Sequence, residues 1–185
     1  MKKFILTDET IDLFGVTLHR IKAVRSFSNV KEGDLGGFVE KEDNISEYFD
    51  AWVWEDAKVY GNAQVRENAQ VWGNAKVWGN AQVYGNANVW GDANVCGNAK
   101  VWGNACVCGN AKVLGNADYI VFKNFWSSGR FFTWTRSNNM WKLGCFYGTG
   151  EELIKKAYAD SDTSGREYER VVKYVQSILE DEKYE

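Results

Sequence analysis

The stretch from Val53 to Asn116 repeats a single six-residue unit. It begins Val53-Trp54-Glu55-Asp56-Ala57-Lys58 and continues Val59-Tyr60-Gly61-Asn62-Ala63-Gln64. Valine occupies every sixth position from Val53 to Val113, and an alanine follows each valine by four positions. A fixed short period is typical of a solenoid, in which each repeat buries its apolar face only against its neighbours.

The order of residues within the unit predicts strands joined by sharp bends. Side chains alternate along a strand, so the Ala and Val of each Ala-x-Val segment share the inward face. The Gly-Asn pair in most units favours a bend, because these two residues reach positive φ at low cost. Three strands and three bends close a triangular coil of eighteen residues.

The hexad from Val71 to Lys76 resembles the repeat of the hexapeptide-repeat proteins, whose fold is the left-handed parallel β-helix. The unit departs from that pattern at Trp72, where the family prefers a small or acidic residue. The resemblance implies the left hand of the coil. It does not specify a function, since one fold carries many activities.

The repeat extends in phase towards the N-terminus. Leu35–Glu40 falls in register, and Ile45 and Ala51 fall on the inward small-residue position. The sequence therefore predicts a solenoid over residues 35–118, with four to five coils between an N-terminal β cap (1–34) and a C-terminal α+β module (119–185). We expect both ends of the column to be capped.

Composition indicates a cytoplasmic protein that needs neither a membrane nor a disulfide framework. The net charge is −3, the apolar content is 45%, and there are four cysteines. The N-terminal residues lack the apolar run of a signal peptide, and no stretch is long enough to span a bilayer. Cys106-x-Cys108 is expected to face outward, and without further ligands at metal spacing it predicts no metal site.

Residues 1–34 are expected to form the cap that blocks the first edge of the solenoid. Strands are predicted over Lys3–Leu6 and Val16–Val24. His19 is the only histidine in the chain and falls among the polar positions of the second strand. We expect it to be a solvated residue of the cap.

The position after each valine is predicted to point outward, where aromatic residues stack in columns on successive coils. An exposed aromatic surface of this extent indicates a partner. Stacked rings can also simply stabilise the ladder, or offer a platform to a sugar or base. The outward Asn62, Asn80, Asn98 and Asn116 predict a hydrogen-bonded corner ladder. The predicted partner-binding residues are Trp54, Trp72, Trp90, Trp78, Tyr84 and Trp102.

The period fails after Asp118, and residues 119–149 are rich in aromatic and basic residues without a single acid. A hairpin is predicted with its turn at Ser137-Asn138-Asn139. Basic residues between aromatics favour a stacking platform for a nucleotide or single-stranded nucleic acid, although the rings could instead pack on the following helices. The predicted ligand-binding residues are Lys123, Arg130, Trp134, Arg136, Trp141 and Lys142.

Two helices are predicted to complete a ββαα module. Thr149-Gly150-Glu151-Glu152 is a capping box that opens a helix from Glu151 to about Ala159. Ser164-Gly165-Arg166-Glu167 is predicted as a second box, opening a helix to about Glu180 with one apolar stripe.

The resemblance raises three functions for consideration, namely catalysis, binding of a host protein and self-assembly. Enzymes among the hexapeptide-repeat proteins use histidines that this solenoid lacks, so neither catalysis nor a cofactor is expected. The chain resembles small members from phages and prophages in its Gly33–Phe38 entry and its Gly144–Thr149 motif. This favours a binding protein that inhibits a host protein, for example a defence component of the kind that anti-CRISPR proteins target. Self-assembly through the aromatic columns is the third possibility.

Overall fold

The computed structural model describes residues 2–181 and divides them into two compact units. The first unit extends to Ile120 and includes Thr135–Asn138, and the second comprises Val121–Trp134 and the chain from Asn139 onwards. No helix among the described residues combines the length and the apolar character needed to cross a membrane.

The first unit begins with an antiparallel hairpin. Strand β1 (Phe4–Leu13) pairs with β2 (Val16–Ala23) around a turn at Phe14 and Gly15, both of which have positive φ. The first strand is longer than predicted, because its second half is polar and largely exposed and so lacks an apolar alternation. Strand β2 pairs with β3 (Leu35–Val39), which continues into the solenoid and confirms the predicted cap.

The repeat forms parallel strands of two residues each on the three sides of a coil. The sheets run in the orders β3-β5-β8-β11-β14, β4-β7-β10-β13 and β6-β9-β12, and partners such as Val77 and Val95 lie eighteen residues apart. The predicted solenoid is confirmed. Its short strands are β4 (Trp52–Val53), β5 (Lys58–Val59), β6 (Gln64–Val65), β7 (Gln70–Val71), β8 (Lys76–Val77), β9 (Gln82–Val83), β10 (Asn88–Val89), β11 (Asn94–Val95), β12 (Lys100–Val101), β13 (Cys106–Val107) and β14 (Lys112–Val113).

The inward Ala and Val residues form the core of the coil. Every one of them from Ala51 to Val113 has no solvent-exposed surface. A small and a β-branched residue alternate on each side, so each coil fills its centre without a large side chain.

The first coil differs from the prediction, because it is two residues longer than the others. Val39 pairs with Val59 and Ile45 with Val65, both twenty residues apart, whereas Val53 pairs with Val71 at eighteen. The register predicted for Leu35 and Ile45 is therefore wrong by two residues, and Leu35 is 55% exposed. The extra residues lie between Ile45 and Trp52. An insertion of two residues leaves the alternation of inward and outward side chains unchanged, so the hydrophobic pattern of the sequence does not reveal it.

The bends carry ladders of side-chain amides. Asn62 Nδ2 donates to Asn80 Oδ1, and Asn80 Nδ2 donates to Asn98 Oδ1, each at a distance of 3.2 Å. The predicted corner ladder is confirmed for these three residues. Asn116 departs from it, since it lies in a 3-10 turn and its Oδ1 accepts from the backbone N of Lys100 at 2.9 Å.

The last coil has no following coil to accept its backbone N–H groups, and side chains take that role. Asp118 Oδ2 accepts from Leu114 N at 2.7 Å, and Ser137 Oγ accepts from Lys112 N at 2.6 Å. Asn116 serves Lys100 in the same way. These contacts satisfy donors that an open edge would leave unpaired.

The second unit contains most of a four-stranded sheet and two helices. The sheet order is β15 (Tyr119–Lys123), β16 (Phe131–Thr135), β17 (Met140–Leu143) and β18 (Phe146–Gly148). The predicted hairpin thus gains a strand on each side. Helix α1 (Gly150–Asp160) and helix α2 (Asp162–Asp181) follow.

The first helix start is confirmed and the second is wrong. Thr149 Oγ1 accepts from Glu152 N, and Glu152 Oε2 accepts from Thr149 N, as a capping box requires. Helix α2 begins before Ser164, because Ser161 Oγ accepts from Ser164 N at 3.1 Å. The run Ser161-Asp162-Thr163-Ser164 holds four residues able to cap a helix, so sequence alone does not single out the start. The apolar stripe of α2 buries Tyr168, Val172 and Val175.

Candidate binding surfaces

The column of Trp54, Trp72 and Trp90 is held closely against the solenoid. The rings of Trp54 and Trp72 stack with centroids 4.4 Å apart and an angle of 7°. Trp54 Nε1 donates to Gln70 Oε1 at 2.6 Å, and Trp90 Nε1 contacts Cys106 Sγ at 3.2 Å. All three indoles are half-buried. In this column the rings support the ladder, as cross-strand aromatic pairs do.

A shallow pocket of about 470 Å³ opens on the same column. Trp72 and Trp90 line it, together with Asn88 and Cys106. Two corner glycines, Gly73 and Gly91, leave room beside the indoles. Part of each of these two half-buried indoles therefore remains accessible to solvent.

The second column runs through Tyr60, Trp78, Cys96 and Leu114. Tyr60 and Trp78 lie parallel, with centroids 6.1 Å apart at 4°. Trp78 is 39% exposed and Leu114 is 63% exposed, whereas Cys96 between them is 4% exposed. The short Cys96 side chain is shielded from solvent by its larger neighbours in the column. This burial raises the pKa of the Cys96 thiol.

The third column ends in the most exposed indole of the solenoid. Tyr84 and Trp102 are near parallel, with centroids 6.3 Å apart at 11°. Trp102 is 57% exposed. The next position in this column, residue 120, lies outside the repeat, so Trp102 is the last residue of its column within the repeat.

The cysteine prediction is wrong for Cys108. It was expected to face solvent beside Cys106, but it is only 2% exposed. Cys108 follows Trp90 in its column, and a short side chain beside a large ring is shielded even at an outward position. Within residues 2–181, no cluster of three or more His, Cys, Asp or Glu residues could hold a metal ion.

Two of the residues predicted for the stacking platform of the C-terminal segment, Trp134 and Trp141, are buried and present no exposed ring face to a ligand. Trp134 and Trp141 are 0% and 1% exposed. Phe132 lies 6.0 Å from Trp141, and Trp134 Nε1 donates to Asn139 Oδ1 at 2.8 Å. The alternative interpretation applies to these rings, which form the core of the second unit.

The predicted cations are divided between the two units. Arg136 belongs to the first unit, where its Nε donates to Ala117 O at 3.2 Å. Lys123 is exposed with its Nζ 5.7 Å from the ring centre of Phe131, and Lys142 is half-buried. Arg130 is exposed and lines a separate pocket.

That pocket has a volume of about 550 Å³, and the sequence does not predict it. It is lined by the 124–130 loop, by Leu143, Cys145 and Phe146 of the β17–β18 segment, and by both helices. These parts are distant in sequence and share no motif. In the sequence, only the basic residues between the aromatics of this segment indicated a site.

His19 is part of the cap, as expected, although it is half-buried rather than fully solvated. Its Nδ1 lies 3.1 Å from Thr7 O across the hairpin.

Comparison of the chain with known proteins found no relative. No protein-family model matches the chain, and no curated protein matches its sequence.

Proposed function

We propose that this is a phage-encoded hexapeptide-repeat protein that binds a host protein without catalysis and inhibits it, for example a component of bacterial defence. The observation that carries the proposal is the exposure of Trp78 and Trp102, at 39% and 57%, on a rigid solenoid. Both are among the predicted partner-binding residues. Of the six, they are the two with the most exposed side chains.

Exposed indoles in fixed orientations suit protein recognition. Trp102 stacks on Tyr84 and Trp78 stacks on Tyr60, so neither ring is free to rotate widely. A side chain that is already ordered loses little entropy when a partner covers it. Tryptophan is also enriched among the residues that contribute most to protein–protein binding.

The two motifs on which the family resemblance rests have structural roles in this fold. Gly37 lies where an added Cβ would be 2.5 Å from Ala57 O, so the entry motif needs glycine for close packing on the first coil. Thr149 at the end of the second motif caps helix α1. The same residues would serve the same roles in any relative that shares this architecture.

A capture experiment tests the proposal. Tagged protein is incubated with bacterial lysate treated with nuclease, and retained proteins are identified by mass spectrometry. The Trp78→Ser/Trp102→Ser double variant should lose the partner, because both rings contact it. Arg66→Ser is the matched control, since Arg66 is exposed in the column of Trp102 but two coils away.

The captured protein must then bind purified wild-type chain directly, with an affinity that the double variant lowers by about 100-fold or more. Equal capture by wild type and double variant would contradict the proposal. If the wild type instead retains only copies of itself and has a dimeric or larger mass, self-assembly replaces host binding as the function.

A further inference from the structure

The pocket of the second unit combines an apolar wall with an unusual number of hydroxyl groups. Leu143, Phe146 and Leu153 line one part. Four serines and the buried Tyr168 contribute the hydroxyls. Its volume of about 550 Å³ is within the range of small-molecule sites, which is about 300–1,000 Å³.

A hydrogen-bond chain makes Tyr168 a donor. Ser127 N donates to Asn124 Oδ1 at 2.9 Å, which fixes the orientation of the Asn124 amide. Asn124 Nδ2 must then donate to Tyr168 Oη, at 2.8 Å. The Tyr168 oxygen accepts this bond, and its own proton has no acceptor among the described residues. Burial raises the pKa of Tyr168, so the proton is present at neutral pH.

Two cations line the pocket without ion-pair partners. Within residues 2–181, neither Arg130 nor Lys156 forms a salt bridge. The Arg130 guanidinium packs over Gly144, with Nη1 3.4 Å from the position that a Cβ would take there. Asp160 is the one carboxylate in the lining. The pocket therefore offers positive charge for an anion and a single acceptor for a hydroxyl or amine.

We propose that this pocket binds a small phosphorylated metabolite of about the size of a mononucleotide. Arg130 and Lys156 bind the phosphate, which favours planar guanidinium and ammonium donors. Tyr168 donates to a phosphate or sugar oxygen, and Asp160 accepts from a hydroxyl or amine. The apolar wall covers the remaining face of the ligand.

This site is independent of the proposed protein-binding function, because every lining residue belongs to the second unit. It also differs from the platform predicted for single strands, since it uses neither Trp134 nor Trp141. A pocket of about 550 Å³ has room for one phosphate and one sugar, which favours a small molecule over a polymer.

Isothermal titration of the full chain with AMP, UMP, inorganic phosphate and citrate tests the site. We expect at least one mononucleotide to bind in the micromolar range, more tightly than inorganic phosphate or citrate. Arg130→Gln and Lys156→Gln should each weaken this binding by about 10- to 100-fold, as expected for the loss of a charged hydrogen bond. Both side chains are exposed, so neither change should disturb folding.

Matched controls separate the pocket from general charge effects. Lys155→Gln removes the same charge from the neighbouring position of α1, outside the pocket, and should leave the affinity unchanged. Lys123→Gln does the same for a residue of the predicted platform. Absence of mononucleotide binding, equal binding of citrate, or equal losses in pocket and control variants would each overturn the proposal. Tighter binding of a single-stranded oligonucleotide than of AMP would also contradict it.

Discussion

Lys3 is a buried cation that contacts the segment of the first coil with the two extra residues. It has no exposed surface, and its Nζ donates to the carbonyl oxygens of Ser46 at 2.6 Å and Ala51 at 2.8 Å. The ring of Phe27 lies 4.9 Å from the same nitrogen. Lys3 thus ties the N-terminal strand to the segment that contains the two extra residues. Its role could not be predicted, because lysine near a terminus usually lies in solvent.

Burial lowers the pKa of Lys3 from 10.5 to about 8, partly opposed by the charge of Glu47. Arg25 lowers the pKa further and Asp50 raises it. Between pH 8 and 10.5 the unfolded chain therefore holds more protons than the folded one, and the free energy of unfolding should rise with pH. The full effect is on the order of 3 kcal/mol.

Urea denaturation of the wild type and Lys3→Met at pH 7, 8, 9 and 10 measures this effect. Buried tyrosines and cysteines have the opposite dependence, so the difference between the two proteins is taken at each pH. We expect the wild type to gain stability relative to Lys3→Met from pH 8 upwards. A difference that stays constant over this range would show that Lys3 titrates as an exposed lysine.

At the scale of the element, the bends limit which residues the coil accepts. Glu67, Gly85 and Gly103 occupy one corner column with φ of 56°, 73° and 67°. Glu67 Oε2 accepts from Gly85 N at 2.9 Å, and Glu55 and Glu40 accept in the same way from Gly73 and Gly61. Carboxylates of the first two coils therefore accept from corner amides of the coil that follows each of them. The sequence does carry this signal, since Glu55 and Glu67 stand where later hexads have glycine.

Gly85→Ala and Gly103→Ala separate backbone strain from crowding. Both variants place a side chain at positive φ, which costs about 1–2 kcal/mol. At Gly85 the new Cβ would also lie 2.8 Å from Gly103 N, whereas at Gly103 nothing lies within 4 Å. Gly85→Ala should therefore be less stable than Gly103→Ala by about 1–3 kcal/mol in denaturant unfolding. Equal losses of unfolding free energy in the two variants would mean that the next coil shifts to accommodate the new Cβ of Gly85→Ala without cost.

The elements themselves could be predicted to different degrees. The Val and Ala period specified the coil, its inward residues and its eighteen-residue turn, because each hexad repeats the same local rule. The two-residue insertion before Trp52 and the long polar strand β1 were missed. Their pairing depends on partners far away in the chain, which an alternation pattern does not contain.

At the scale of the whole molecule, candidate binding residues depend on what lies beside them. The six partner-binding candidates share one position in the hexad, yet Trp54 and Trp72 stack at 4.4 Å while Trp102 is 57% exposed. The exposed fraction of each indole depends on the size of its neighbours on adjacent coils. It also depends on whether the indole lies at the end of its column. The same applies to Trp134 and Trp141, whose burial comes from the sheet and helices around them. Sequence identified the aromatic residues but not which of them are accessible.

Site-specific photocrosslinking in bacterial cells tests the central claim most directly. A benzophenone amino acid is placed at position 78 or 102 in separate variants, with exposed Asp8 of strand β1 as the control position. If the exposed indoles bind a host protein, positions 78 and 102 should both give an adduct with the same host protein, and position 8 should give none. Adducts absent at both positions, or equally abundant at position 8, would contradict it. An adduct of twice the mass of the chain would mean that the aromatic columns bind another copy of the protein.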